Sequence, residues 1–325
     1  MCSSDLQLEQ LISAGAPLAC RGAADAEREL DVGRHGHVPE QRVVLEHETD
    51  AATLRQWTDE CARFAVAHVL SLPRQPAVDL DGAIEVAARF REPPPETGTP
   101  LPALLERFGA AAAKSFTTSG PGYLAYVPGG GVYPAALGEF LSHVVNRYVG
   151  VWNAAPALVQ MEVAAIDWLR ALVGYPEGAQ GLLTSGGSLS NLIALATARR
   201  VRLGDDFRDA SIYLSTETHH SVHKAALFVG FARRNLREIP VDDRYRLRVD
   251  ALKDAIARDR REGLKPFLVV ANAGTTNTGA IDPVPAIADL CRREDLWLHV
   301  DAAYGGFFRM APGGAALLPG LERAD

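Results

Sequence analysis

Four short stretches of this sequence combine glycine, hydroxyl, imidazole and carboxylate side chains at spacings suited to ligand chemistry. The first is Thr184–Asn191, TSGGSLSN, in which Gly186 and Gly187 precede a helical pattern. Glycines let the backbone approach a ligand, and the free N–H groups of a helix start favour an anion, a phosphate gaining about 1–2 kcal/mol there. The stretch is neither a Walker motif nor a GxGxxG, and taken alone it also fits an ordinary tight turn. The second, Ser215–Lys224, places His219 and His223 four residues apart. That spacing suits a metal pair on one helix face, but no H-E-x-x-H accompanies it. The alternatives are a pair of solvated or capping histidines, or an imidazole at His219 lying flat against an aromatic ring.

The third stretch, Ala271–Asp282, is rich in small and hydroxyl residues, as in a loop passing close beneath a ligand or an ordinary polar turn. The fourth carries the most information. Leu296–Val300 is apolar and Asp301 stands at its end, followed by Ala302, Ala303, Tyr304, Gly305 and Gly306. A carboxylate at the mouth of a buried strand costs several kcal/mol unless it is paired. It caps a loop, holds a metal, or faces a protonated ring nitrogen, whose charged form it would favour.

These stretches each follow an apolar run. Gly181–Thr184, Ser211–Leu214, Phe267–Ala271 and Leu296–Val300 read as buried strands. Between them, Ser188–Val201, Ser221–Phe231, Val249–Arg260 and Pro283–Arg293 read as helices. The alternation predicts an α/β fold with a mostly parallel sheet covered on both faces, and such sheets bind ligands beyond the carboxyl ends of their strands. Upstream, helices are expected over Thr53–Leu72, Leu80–Arg91 and Leu101–Ala113, the second stopped by Pro93-Pro94-Pro95. Residues 46–118 thus read as a helical arm whose apolar stripe needs a partner surface, and 119–325 as the large domain. Residues 1–45 read as a loose tail, and Cys2–Leu6 can be back-translated into a common sequencing-library adapter, which raises the suspicion of an assembly artefact at this end.

The 325 residues carry a formal net charge of −7, which supplies no basic field for nucleic acid or an anionic membrane. No apolar run approaches the roughly twenty residues of a membrane span, and no signal-peptide pattern is present. Cys2, Cys20, Cys61 and Cys291 form no zinc or disulfide spacing, which points to a reducing cytoplasm.

Taken together and in order, TSGGSLSN, THHSVHKA, AGTTNTGAIDP and LWLHVDAAYGG resemble the group II pyridoxal-phosphate (PLP) dependent decarboxylases. Tyr123–Pro128 and Trp152–Pro156 extend the resemblance, which covers Pro121 to Asp325. It implies the aspartate-aminotransferase fold, PLP as cofactor, an L-amino acid substrate with aromatic ones favoured and glutamate next, and a homodimer. By the same resemblance Gly187 and Ser188 bind the cofactor phosphate, and His219 stacks on the pyridine ring. Thr276 lies close to the cofactor, Asp301 partners the pyridinium, and Ala303 is the small residue under the ring. Tyr126 and Pro128 match the substrate side, with Gly129 where aromatic-acid members often carry threonine. His219 and Asp301 are the expected catalytic pair, with no metal.

One departure is large. The family's cofactor-anchoring lysine follows the aspartate by about thirty residues, whereas the only lysines here are Lys114, Lys224, Lys253 and Lys265. The chain is therefore expected to be an inactive fragment, without the small C-terminal domain and substrate loop. An aminotransferase or cysteine desulfurase, a non-catalytic relative and a zinc enzyme are the competing readings.

Overall fold

The computed structural model describes residues 49–93, 95–125, 127 and 131–325. The 1–45 tail, Tyr126, Pro128 and Gly129 lie outside them. Two compact units result, Met1–Tyr123 and Leu124–Asp325.

In the first unit α1 spans Ala51–Ser71, α2 Ala83–Ala88 and α3 Leu101–Ala113. Asp50 caps α1, its Oδ1 accepting from the Ala52 and Thr53 amides at 2.8 Å. This satisfies N–H groups that a helix start leaves unpaired. Phe64 of α1 meets Phe108 of α3 at 5.7 Å between ring centroids. Helix α2 is shorter than the expected Leu80–Arg91. It begins after Gly82, whose φ of 70° lies outside the helical region, and the residues after Ala88 form only a turn.

The second unit opens with α4, Tyr133–Val145, and α5, Pro156–Val173, neither of which the sequence reading separated out. Both are rich in apolar residues and lie largely exposed among the described residues. Local punctuation was present nonetheless: Pro156 opens α5, and Gly174, at φ 89°, closes it.

From there strand and helix alternate. They run α6 Gly187–Arg202, β1 Ala210–Ser215, α7 His220–Phe228, β2 Leu236–Ile239, α8 Val249–Arg261, β3 Lys265–Asn272, α9 Val284–Glu294, β4 Trp297–Asp301 and the short α10 Gly314–Leu317. The sheet order is β2-β1-β3-β4 with every pairing parallel. Side chains alternate across it. Ile212, Leu214, Leu268 and Val270 pack with Leu195 of α6 and Val222 of α7. On the other face Tyr213, Val269, Ala271 and Leu298 pack with Leu252 and Ile256 of α8 and Ile287 and Leu290 of α9. Both faces are covered, so the strands read as continuous apolar runs.

The expected strand at Gly181–Thr184 is a correction. The segment is irregular, and Leu182 and Leu183 are 57% and 53% exposed. An apolar run becomes a strand only where a neighbour answers its backbone groups, and among the described residues none pairs with it. Conversely β2, Leu-Arg-Glu-Ile, escaped the reading. As an edge strand paired on one side it carries charged residues that a central strand excludes.

Candidate functional site

Because β1, β3 and β4 are adjacent and parallel, the segments leaving their carboxyl ends emerge on one edge of the sheet. The chain goes from β1 outward to β2 and then returns to place β3 on β1's other side. At such a switch point the loops diverge and leave a crevice. A cleft of about 260 Å³ lies there, lined by Val127, Gly187, Ser188, Asn191, His219, Ser221, Asn272, Gly274, Thr275, Thr276, Asp301, Ala303 and Tyr304. All six described positions singled out in the sequence, Gly187, Ser188, His219, Thr276, Asp301 and Ala303, are among them.

The floor of the cleft starts at α6. Gly186 precedes the helix at φ 152°, ψ 170°, backbone territory open essentially to glycine. A Cβ on Gly187 would come within 3.0 Å of the Ala303 Cβ, so the absent side chain is what lets these two backbone segments approach. Ser190 Oγ sits 2.7 Å from Thr184 Oγ1 and ties the turn to the first helical residues. The result is a 16-residue helix whose open N-terminus faces the cleft, a suitable cradle for a phosphate.

Asp301 ends β4. Its Oδ1 accepts from the Ala303 amide at 3.0 Å and its Oδ2 from Asn191 Nδ2 at 2.9 Å. A carboxylate has about four acceptor positions, so lone pairs remain for a ligand. His219 caps α7, its Nδ1 accepting from the Ser221 amide at 3.3 Å and lying 2.8 Å from Ser221 Oγ. His223 makes a separate contact, 3.3 Å to Glu238 Oε1 on β2. The two histidines therefore engage different partners, and no group of three or more potential metal ligands occurs among the described residues.

Asn272, at the end of β3, joins a closed buried network. Asp282 accepts from the amides of Leu247 and Asn272 at 2.7 Å and from Asn272 Nδ2 at 2.9 Å. Burial nevertheless raises the Asp282 carboxyl above its ordinary value, with Asp242 adding to the shift and the donors opposing it. Beside Asp301, a Cβ on Gly305 would fall 1.9 Å from the Ala273 carbonyl oxygen, so only glycine allows the loop after β4 to press against the loop after β3.

Sequence reasoning did not pick out Asn191, Ser221, His299 or Tyr304 as site residues. Three of them carried a positional signal. Asn191 is four residues beyond Gly187, hence on the same helix face, and His299 is two before Asp301, hence on the same strand face. Ser221 is two past His219. Tyr126 and Pro128, expected on the substrate side, fall outside the described residues.

Comparison with known proteins bears on this geometry. The family model described as "Pyridoxal-dependent decarboxylase conserved domain" matches residues 88–325. The aromatic-L-amino-acid decarboxylase of Bacillus atrophaeus is 37% identical over 276 residues, covering 85% of this chain and 58% of that protein. The human cysteine sulfinic acid decarboxylase is 36% identical over 229 residues, covering 68% and 46%. The crystal structure of Oryza sativa TDC with PLP and tryptamine superposes with a TM-score of 0.78 at 28% identity, covering 85% of this chain and 60% of that one. The α/β fold is thus that of PLP-dependent enzymes of the aspartate-aminotransferase type. This chain spans about half the length of the curated relatives it matches. The residues present fit the cofactor's chemistry: a glycine-cleared helix start suits its phosphate, a carboxylate with free lone pairs its ring nitrogen, and an imidazole its ring face.

Proposed function

The chain belongs to the family of pyridoxal-dependent decarboxylases, and from that premise we propose that the protein removes the carboxylate of an L-amino acid as CO2 and releases the amine. Its cofactor is pyridoxal 5'-phosphate. One observation carries the reading. The open start of α6, the imidazole of His219 and the carboxylate of Asp301 line the same cleft.

In this reading Gly187 and Ser188 hold the cofactor phosphate against the N-terminus of α6. Asp301 holds a proton on the ring nitrogen, because an opposite charge nearby favours the charged form. His219 would lie against the ring face, Thr276 close to the cofactor, and the small Ala303 under the ring. When bound, the cofactor supplies the electron sink that decarboxylation needs. By resemblance alone, Tyr126 and Pro128 match the family's substrate-side positions. An aromatic amino acid is the favoured substrate, a choice supported by the name of the Bacillus relative.

No lysine lines the cleft among the described residues, and Lys224, Lys253 and Lys265 are exposed. Residues 46–118 serve as an arm and 119–325 as the cofactor domain of a homodimer. Exposed apolar side chains on α4 and α5, such as Val144 at 65% and Trp168 at 74%, support the dimer. No helix among the described residues is long and apolar enough to cross a membrane.

The test is product analysis on a chain extended through a lysine downstream of Asp325, supplied with cofactor and a panel of aromatic and acidic amino acids. Stoichiometric CO2 and amine are expected. Keto-acid formation would mark an aminotransferase instead, and cofactor binding with neither product would mark a relative without catalysis.

A further inference from the structure

The strongest unassigned feature is a run of hydrogen bonds beneath the cleft whose donors and acceptors leave a single consistent arrangement. Asn191 sits one turn into α6 and is only 3% exposed. Its Nδ2 lies 2.9 Å from Asp301 Oδ2 and 3.0 Å from Ser221 Oγ, and its Oδ1 lies 2.7 Å from His299 Nε2. An ionised carboxylate only accepts, so the amide nitrogen must be the end that faces Asp301. The carbonyl then faces His299, which must donate from Nε2. Ser221 Oγ accepts from Asn191, leaving its one hydroxyl proton for His219 Nδ1 at 2.8 Å, where the Ser221 amide also points. His219 Nδ1 is thereby an acceptor, and its own proton resides on Nε2.

We infer that Asn191 is a positioning residue: its side-chain amide couples the Asp301 carboxylate to the His219 imidazole through the Ser221 hydroxyl, while its carbonyl accepts from His299 Nε2. The functional consequence rests on the cofactor reading above, but the coupling does not. Three elements distant in sequence, the start of α6, the end of β4 and the start of α7, are held by one amide that uses both N–H groups and its carbonyl. A hydrogen bond to a charged group is worth more than a neutral one, so Asp301 is the branch that Asn191 restrains most firmly. The Ser221 branch sets a tautomer rather than a position. With Nδ1 occupied from beneath, His219 keeps its proton on the other ring nitrogen, Nε2. Burial holds the His299 imidazole below its usual value, partly opposed by the Asp301 charge.

The inference is tested on the full chain with two readouts that do not require turnover. Two-bond 1H–15N spectra of the histidine side chains at about pH 8, where histidine is neutral, report each tautomer. Binding of pyridoxamine 5'-phosphate, which needs no lysine bond, reports how well the cleft is organised. In the wild type His219 should be a single Nε2–H tautomer. Asn191→Leu keeps the volume but removes the amide. It should mix the His219 tautomers and weaken pyridoxamine phosphate about tenfold or more. Ser221→Ala should mix the tautomers with a smaller loss of affinity, because the Asn191–Asp301 bond survives. Retention of the wild-type tautomer and of affinity within about twofold in Asn191→Leu would overturn the inference. Should Asn191→Leu fail to fold by circular dichroism, Ser221→Ala decides: an unchanged His219 tautomer overturns the coupling. If instead Asp301→Ala binds the ligand as well as wild type, the cofactor reading of Asp301 fails, while the tautomer spectra still decide the coupling.

Discussion

Two asparagine–aspartate pairs stand near the carboxyl edge of the same sheet, and they are built for different purposes. Asn272 and Asp282 form the closed one. Asp282 is 2% exposed and receives three hydrogen bonds from Leu247 and Asn272, with Thr218 and Ser215 packed around the amide. Asn191 and Asp301 form the open one. Asp301 receives two hydrogen bonds from the protein and lines the cleft. The same residue types therefore do structural work where the carboxylate is shut in among protein donors. They are available for chemistry where acceptor capacity is left facing a cavity.

The comparison is easiest to break at the open pair. Asp301→Ala in a complete, cofactor-loaded protein should lower decarboxylation by about 10²–10³-fold, the loss expected when a buried charge loses its partner. It should shift the urea midpoint less than the closed pair's loss does, because two donors are released rather than three. A stability loss as large as that of the closed pair would erase the distinction. Asp282→Ala should do the reverse. It strands the Leu247 and Asn272 amides in the interior at a cost on the order of 3 kcal/mol of unfolding free energy. Pyridoxamine phosphate binding, measured well below the new denaturation midpoint, should remain near wild type.

The smallest expected effect is in pH dependence, and its sign separates the two networks. The His299 imidazole of the open network titrates below the ordinary 6.5 when folded. Between the folded value and 6.5 the unfolded chain takes up a proton that the folded chain refuses. Its contribution to stability is complete above 6.5 and is lost as pH falls through that window. Asp282 titrates above the ordinary 3.8 when folded. In the window just above 3.8 the folded chain keeps a proton that the unfolded chain releases, so its contribution declines as pH rises. Unfolding free energies measured across pH should lose only the first slope in His299→Gln and only the second in Asp282→Asn.

Much of this organisation was legible in one dimension. Helix α3 coincides with the expected Leu101–Ala113, and α8 extends the expected Val249–Arg260 by one residue, because amphipathic spacing and flanking signals are local. Three of the four apolar runs proved to be strands. The fourth, Gly181–Thr184, shows why the remainder was not legible: pairing is a property of two segments, and composition describes one. The same limit hid β2, whose charged residues suit an edge that only the assembled sheet defines.

The sequence by itself determined the local ingredients and their order: a glycine turn before a helix, a histidine after β1, a hydroxyl-rich loop after β3 and an aspartate closing β4. Those follow from backbone freedom, helix-end electrostatics and strand length, which neighbouring residues set. Only the tertiary structure decided that Asn191 reaches Asp301 across 110 residues at 2.9 Å, and that Ser221 and His299 complete the same set of bonds. The physical reason is that hydrogen-bond direction depends on every partner at once. Asn191 became a link between two site residues when the parallel sheet brought its helix, β4 and the start of α7 to one edge.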